Sequence, residues 1–180
     1  MTRWMLLAAM LAACGDDSSS TDAMPVGSGV LFINEVMPSN LMSTCKDIVG
    51  EADDWIEIYN SGNSAFDLGG FKVSDNPLFP AKGTLAAGVM VPANGYLLLW
   101  ADDQVQGLDH LPFKLDADGE EIGLYAPDGG KIDSYAWPIA NPDQSFARFP
   151  DGTGPFVTCA AHTCGAANGN ACVTPREGPR

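Results

Sequence analysis

Short runs of β-forming residues, separated by clusters of Gly, Pro, Asn and Asp, fill most of the chain after Gly29. These runs lack the 3.6-residue apolar period of an amphipathic helix, and runs of this length with turn residues between them are typical of strands. About seven to nine such strands predict an all-β sandwich, with a closed barrel as the alternative. The predicted strands are residues 30–36, 55–60, 66–68, 71–74, 96–101, 122–125, 131–135 and 145–149.

Two of these strands carry informative patterns. Within Trp55–Asn60, the alternation places Ile56 and Ile58 on one face, and Glu57 with both aromatic residues on the other. The run Tyr96–Ala101 (YLLLWA) is apolar enough to be buried on both faces. We therefore expect Tyr96–Ala101 to be covered on both sides.

The N-terminus has the layout of a signal peptide. Arg3 supplies a positive charge, Met5–Ala13 form an uninterrupted apolar run, and polar residues begin at Gly15. A membrane-spanning helix needs about 20 apolar residues, and no other stretch of the sequence approaches that length. We therefore expect residues 1–13 to be removed on export and no segment to span a bilayer.

The apolar run ends in Leu11-Ala12-Ala13-Cys14, which resembles the lipobox of bacterial lipoproteins. The resemblance implies cleavage before Cys14 and lipid on that cysteine, with ordinary secretion as the alternative. Several acyl chains anchor a protein firmly, because each buried CH₂ contributes about 0.8 kcal/mol. Gly15, and not Asp, follows the cysteine, which resembles an outer-membrane address. Residues 14–29 are rich in Ser, Asp and Gly and are expected to form a flexible tether.

The chain is strongly acidic. It contains 9 basic and 23 acidic residues, which give a formal net charge of −14. Removal of residues 1–13 takes away Arg3 and leaves 8 basic residues against 23 acidic ones, a net charge of −15. Nucleic-acid affinity depends largely on Lys and Arg that displace counterions from phosphates. The composition therefore disfavours DNA and RNA as partners.

Four further cysteines follow the lipobox, at Cys45, Cys159, Cys164 and Cys172. An even number in an exported chain predicts two disulfides. Of the three possible connectivities we favour Cys164–Cys172 with Cys45–Cys159, and the other two stay open. The alternative is a zinc site formed by His162 and the three cysteines of the tail. Gaps of four and seven residues between those cysteines differ from the close pairs of most zinc sites.

Acidic residues gather in the predicted loops. The candidate calcium ligands are Asp102, Asp103, Asp116 and Asp118, and a further group, Glu51, Asp53 and Asp54, precedes a strand. Calcium takes six to eight oxygens, which clusters of this kind can supply. The segment DADGEE at residues 116–121 lacks the spacing of an EF-hand loop, and acidic loops are more often simply solvated. We therefore expect no metal or other cofactor, with calcium as the alternative.

Catalysis is not expected from this sequence. A hydrolytic triad needs a nucleophile, a base and an orienting acid, and only His110 and His162 offer an imidazole, without a G-x-S-x-G turn. His110 is expected to cap or pack a loop, and His162 to be exposed. Trp137 precedes a proline in a predicted loop and is the candidate for a partner contact. Trp100 is expected to pack in the core.

A series of short motifs resembles the lamin-tail domain, an immunoglobulin-like sandwich. The motifs are INEV (33–36), DWIEIYN (54–60), DLGGF (67–71), VSD (73–75), PANGYLLL (92–99), EIGL (121–124), GGKIDS (129–134) and SFARFP (145–150). In order and spacing they cover about residues 30–158. The resemblance implies a sandwich that acts as an interaction module and has no catalytic residues.

Two segments depart from that family pattern, an insert at residues 40–53 and the cysteine-bearing tail at 159–180. We expect a non-enzymatic protein of the cell envelope, anchored in the outer membrane through lipid on Cys14. Its expected partner is another envelope protein or a surface polymer. The alternative is a calcium-dependent adhesion or carbohydrate-binding domain that uses the acidic loops.

Overall fold

The computed structural model describes residues 30–104 and 106–172. The predicted signal peptide, Cys14, the tether and the last eight residues of the predicted tail lie outside these residues. The strands are β1 (Leu31–Met37), β2 (Asp54–Asn60), β3 (Phe66–Asp67), β4 (Lys72–Ser74), β5 (Gly83–Thr84), β6 (Met90–Val91), β7 (Gly95–Ala101), β8 (His110–Leu111), β9 (Glu121–Tyr125), β10 (Lys131–Ala136), β11 (Ser145–Arg148) and β12 (Phe156–Cys159). A short 3-10 helix, η1, covers Asn170–Cys172. Among the described residues, no helix is long and apolar enough to cross a membrane.

The all-β fold is confirmed, and each predicted strand corresponds to an observed one. The expected count of seven to nine is too low, because the structure has twelve strands. Three of the additional strands, β5, β6 and β8, are only two residues long, which is too short to show an alternating pattern. The fourth, β12, follows the segment PDGTGP at 150–155. The Gly and Pro residues of that segment are typical of a loop, so the short strand after it was not predicted.

The strands form two main sheets and one two-stranded ribbon. The six-stranded sheet has the order β12-β11-β1-β2-β7-β8, the four-stranded sheet has the order β10-β9-β4-β5, and β3 pairs with β6. Strand β8 runs parallel to β7, whereas the other ladders are antiparallel. The two sheets form the expected immunoglobulin-like sandwich. Each sheet ends in open edge strands, so the barrel alternative is wrong.

The main core contains side chains of both sheets. Ile56 and Ile58 of β2 pack in one cluster with Val73 of β4 and Leu124 of β9. The two isoleucines therefore share one face, as predicted, and the structure shows that this face points into the core. The run YLLLWA in β7 is buried only at residues 99–101, whereas residues 95–98 are half-buried. The reason is that the short strand β8 pairs with β7 only at residues 100 and 101.

A β-bulge in β1 determines which of its side chains reach the core. Ile33 pairs with Ile58 and Glu35 pairs with Glu57, so that Asn34 is the extra residue between them. A bulge shifts the alternation of a strand by one residue. Ile33 and Val36 therefore both lie in the core, while Glu35 lies on the opposite face of the sheet, where β2 places Glu57.

Candidate interaction site

Two segments outside the regular sheets lie together on the face of the six-stranded sheet opposite the core. They are the insert (residues 40–53) and the part of the tail that follows β12, of which the structure describes residues 160–172. A disulfide between Cys45 and Cys164 joins the two segments. Cys45 packs with Met37, Trp55 and Trp100 in a second buried cluster. The two segments that depart from the lamin-tail pattern thus form one covalently joined structure.

Polar side chains determine the path of the insert. The buried Asn40 donates from its Nδ2 to the carbonyl oxygens of Cys45 (3.0 Å) and Asp53 (2.8 Å), which closes the base of the loop. Asp143, from the loop before β11, accepts hydrogen bonds from the backbone N–H groups of Leu41 and Met42, both at 2.9 Å. The first half of the insert is therefore held at its start by Asp143, which binds Leu41 and Met42, and at its end by the bond from Asn40 to Cys45.

The insert nevertheless presents large apolar side chains to solvent. Ile48 is 93% exposed and Met42 is 86% exposed, and Leu41 and Val49 are exposed as well. Four exposed aliphatic side chains within nine residues are unusual for a loop whose backbone is this firmly held. Exposed apolar groups that lie together are typical of binding surfaces.

The tail covers two buried carboxyl groups of the sheet. Thr163 donates to Glu35 from its backbone N–H (3.2 Å) and from its hydroxyl (2.6 Å). The backbone N–H of Gly165 donates to Glu57 at 2.7 Å, and Asn34 donates to the other oxygen of Glu57 at 2.9 Å. The tail thus supplies the hydrogen bonds that water would otherwise make.

Burial dominates the electrostatics of these two acids. It raises the pKa of Glu57 to about 8, the Glu35 carboxylate raises it further, and the hydrogen bond from Asn34 opposes both effects. Burial likewise raises the pKa of Glu35, against the hydrogen bonds from the hydroxyl and backbone N–H of Thr163. The sequence held a signal for this site, because one Glu lies between apolar or aromatic residues in the middle of β2 and another lies beside Val36 in β1.

The candidate calcium ligands are not gathered into one site. The buried Asp102 accepts hydrogen bonds from the His110 ring and from the backbone N–H of Gln104 (2.9 Å). Asp103 is exposed beside it, whereas Asp116 and Asp118 belong to the turn before β9. Among the described residues, the acidic side chains whose ligand atoms lie within 4.8 Å of one another are those of Asp47, Glu51 and Asp53. Sequence reasoning pointed to Glu51 and Asp53 but missed Asp47, although all three share the insert.

Neither histidine has a fully exposed side chain. The His110 side chain is only 1% exposed and its Nδ1 lies 2.5 Å from Asp102, so the ring packs beneath its loop as expected and is closed to substrates. His162 was expected to be exposed, but it is half-buried. Its ring packs edge-on against Trp55, with 6.2 Å between the two ring centroids. Its position follows from the Cys45–Cys164 disulfide, which holds the tail against β2.

Trp137 is not available for a partner contact. Its side chain belongs to the main core, the residue is only 4% exposed, and its indole N–H donates to the carbonyl oxygen of Asp116 at 2.9 Å. The hypothesis of an exposed Trp137 was wrong. It rested on the following proline, which suggested a loop. Strand β10 continues to Ala136, however, and the Trp137 ring packs in the main core. Trp100 is buried, as predicted.

The structure pairs the four cysteines as Cys45–Cys164 and Cys159–Cys172. The connectivity favoured from the sequence was therefore wrong. Cys159 of β12 packs with Ala147 and Cys172 at one edge of the sheet, whereas Cys45 lies in the other cluster beside Trp55. With its three cysteines in these disulfides, the zinc alternative lacks free thiolates.

A comparison with protein-family models finds a match to the Lamin Tail Domain over residues 26–138. No curated protein sequence matches the chain. The match ends before β11 and β12, although β11 pairs directly with β1 in the six-stranded sheet. It covers more than half of the 180 residues. The chain therefore belongs to the lamin tail domain family.

Proposed function

We propose that this protein is an exported lipoprotein, anchored by lipid on Cys14, whose lamin tail domain binds another protein of the cell envelope through the insert. The apolar run 5–13, followed by Cys14, supports export and lipidation. Membership in a family of immunoglobulin-like, non-catalytic domains supports an interaction role. The acidic composition remains an argument against nucleic acid as the partner.

The observation that carries this proposal is the display of Ile48 and Val49 at the tip of the insert. Both are exposed, and the loop that holds them is fixed by a disulfide and by buried Asn40. A rigid loop loses little conformational entropy when a partner covers it, so the apolar contact is retained as binding free energy. Anchors of this kind dominate many protein interfaces.

The chemistry of the insert favours a protein partner over a surface polymer. Its exposed side chains are aliphatic, and the candidate aromatic platform for a sugar ring, Trp137, is buried. Glu51 is exposed beside Ile48 and Val49, on a chain with a net charge of −14. The complementary surface is therefore an apolar pocket with Lys or Arg at its rim.

The test is a pull-down from the organism's own solubilised envelope, with the full chain exported, oxidised and held in detergent. The variant I48S/V49S removes the proposed anchors, and L78S/F79S is the matched control because it removes two exposed apolar side chains from a different loop. We expect one protein to be captured by the wild type and the control and lost with I48S/V49S. Capture that survives I48S/V49S, or that depends on Leu78 and Phe79 instead, contradicts the proposal.

Anchoring has its own test. Cells that express the full chain are labelled with radioactive palmitate, and the Cys14→Ser variant serves as the comparison. Label on the wild type and its loss from the variant support lipidation. A wild-type protein that carries no label and is recovered from the periplasm would overturn lipidation of Cys14. That result would not affect the proposed docking.

The second candidate function is calcium-dependent adhesion. The cluster of Asp47, Glu51 and Asp53 favours it, because this cluster surrounds the same exposed tip. Repeating the pull-down with calcium and with chelator separates the two functions. Capture of the partner in both conditions supports calcium-independent docking, and capture only with calcium supports adhesion.

A further inference from the structure

The insert contains three acidic residues and one basic residue, Lys46, whose ammonium donates to the carbonyl oxygen of Gly50 at 3.3 Å. One carboxylate oxygen from each of Asp47, Glu51 and Asp53 lies within 4.8 Å of the others. In the part of the chain that the structure describes, none of the three pairs with a Lys, Arg or His within 4.0 Å. Like charges at this separation repel each other, so a cation would stabilise the arrangement.

Asp47 provides an independent indication of a missing ligand. The residue is only 8% exposed, and its Oδ1 accepts hydrogen bonds from the backbone N–H groups of Val49 (3.0 Å) and Glu51 (2.7 Å). Its Oδ2 is buried and has no hydrogen-bond partner, and the same is true of Asp53 Oδ2. A buried carboxylate oxygen without a partner is costly. Two such oxygens on neighbouring side chains therefore point to a ligand that the protein itself does not contain.

Gln106, from another loop, holds the Glu51 side chain in place. Gln106 Nε2 donates to Glu51 Oε2 at 2.9 Å, and the Oε1 of the same amide is buried without a partner.

We propose that Asp47, Glu51 and Asp53 bind one calcium ion in the insert. The donors are all oxygen atoms, which suits a hard cation, and water completes the six to eight ligands that calcium takes. Magnesium fits less well because it demands a near-ideal octahedron of short bonds, which an irregular loop with three carboxylates does not impose. Zinc is disfavoured because the cluster offers neither imidazole nor thiolate.

The proposed ion lies at the base of the turn that displays Ile48 and Val49. Asp47 and Glu51 flank that turn, and the backbone N–H of Asp47 donates to the carbonyl oxygen of Glu51 at 3.1 Å. Occupancy would hold both ends of the turn together. The site goes beyond the proposed docking and does not depend on it, since calcium binding is measured without any partner.

The test is isothermal titration of the full, oxidised chain in detergent with calcium chloride, after removal of metals by chelator. We expect one calcium ion per chain, with a dissociation constant on the order of 10⁻⁴–10⁻³ M or lower, as in other exported calcium modules. Magnesium should bind at least tenfold more weakly. The informative variants are Glu51→Gln and Asp53→Asn, which keep the size of each side chain and remove its charge. Asp47 is left intact because its Oδ1 shapes the turn.

Each variant should weaken calcium binding at least tenfold while its circular dichroism spectrum stays unchanged. Asp118→Asn is the matched control, because Asp118 is an exposed acid on a different loop, and it should bind calcium as the wild type does. No heat of binding up to 10 mM calcium, unchanged affinity in both insert variants, or an equal loss in the control would each overturn the site. Partner capture that persists in chelator would leave the docking proposal standing after any of these failures.

Discussion

Glu35 lies directly opposite Glu57 in the antiparallel pair of β1 and β2, and both residues are fully buried. Like charges in a direct cross-strand pair destabilise a sheet, and burial disfavours the ionised form of each. Burial, and to a lesser extent the charge of Glu35, raise the pKa of Glu57 to about 8. The two groups titrate as a coupled pair, and we expect the pair to retain a proton at neutral pH.

This relationship predicts that the protein loses stability as the pH rises. Between the ordinary value of 4.5 and about 8, the unfolded chain ionises Glu57 while the folded chain keeps its proton. Because the folded state binds more protons, the free energy of unfolding falls through this window, by up to about 1.4 kcal/mol per pH unit for this one group. Urea denaturation at pH 5, 6, 7 and 8 measures the slope. Glu57→Gln should flatten it, and exposed Asp118→Asn should not; equal slopes in all three proteins would contradict the assignment.

The disulfide between insert and tail should contribute more stability than the one inside the tail. The bond Cys45–Cys164 joins residues 119 apart in sequence, against 13 for Cys159–Cys172. In the chain-entropy description these separations correspond to about 5 and about 3 kcal/mol. Guanidinium denaturation of C45A/C164A and C159A/C172A compares the two. The reverse order would show that native contacts, and not loop closure, determine their contributions.

Burial of Trp137 predicts a stability defect in place of a binding defect. Trp137→Ala should cost about 3 to 5 kcal/mol, because it leaves a cavity in the core and an unpaired carbonyl at Asp116. Trp137→Phe should cost less, since most of the ring volume is kept. Urea denaturation measures both, and Ile139→Ala at the neighbouring exposed position should stay within about 0.5 kcal/mol of the wild type. A Trp137→Ala protein as stable as the wild type would rule out the buried indole.

Arg148 should not tolerate replacement by lysine. Its guanidinium donates to both carboxylate oxygens of Asp133, at 2.9 and 3.0 Å, and also to the carbonyl oxygens of Ile33 and Gly154. Nη2 makes both bonds to Asp133, whereas Nε and Nη1 reach the carbonyl oxygens of Ile33 and Gly154. A lysine ammonium is a single nitrogen and cannot serve these three directions of the planar guanidinium. We expect Arg148→Lys to lower the free energy of unfolding by about 2 kcal/mol. A double-mutant cycle with Asp133→Asn isolates the pair, and a coupling near zero would mean that the two residues act independently.

Much of the fold follows from local properties of the sequence. Alternation in Trp55–Asn60 predicted that Ile56 and Ile58 share one face of β2, and the series of motifs predicted an immunoglobulin-like sandwich of the lamin tail domain family. Both were confirmed. These features depend on residues that are close in sequence, where strand period and turn chemistry act directly. The two-residue strands β5, β6 and β8 escaped prediction because each is defined by its partner across a sheet.

The site required the tertiary structure. The chain itself contains the cysteines, the acids of the insert and the single glutamates of two strands. Which cysteines pair, and that Glu35 meets Glu57, depend on the bulge at Asn34 and on the path of the tail across β2. The convergence of Asp47, Glu51 and Asp53, and the burial of Trp137, likewise result from folding of the surrounding chain. The physical reason is the same in each case, because burial and pairing depend on contacts between residues far apart in sequence.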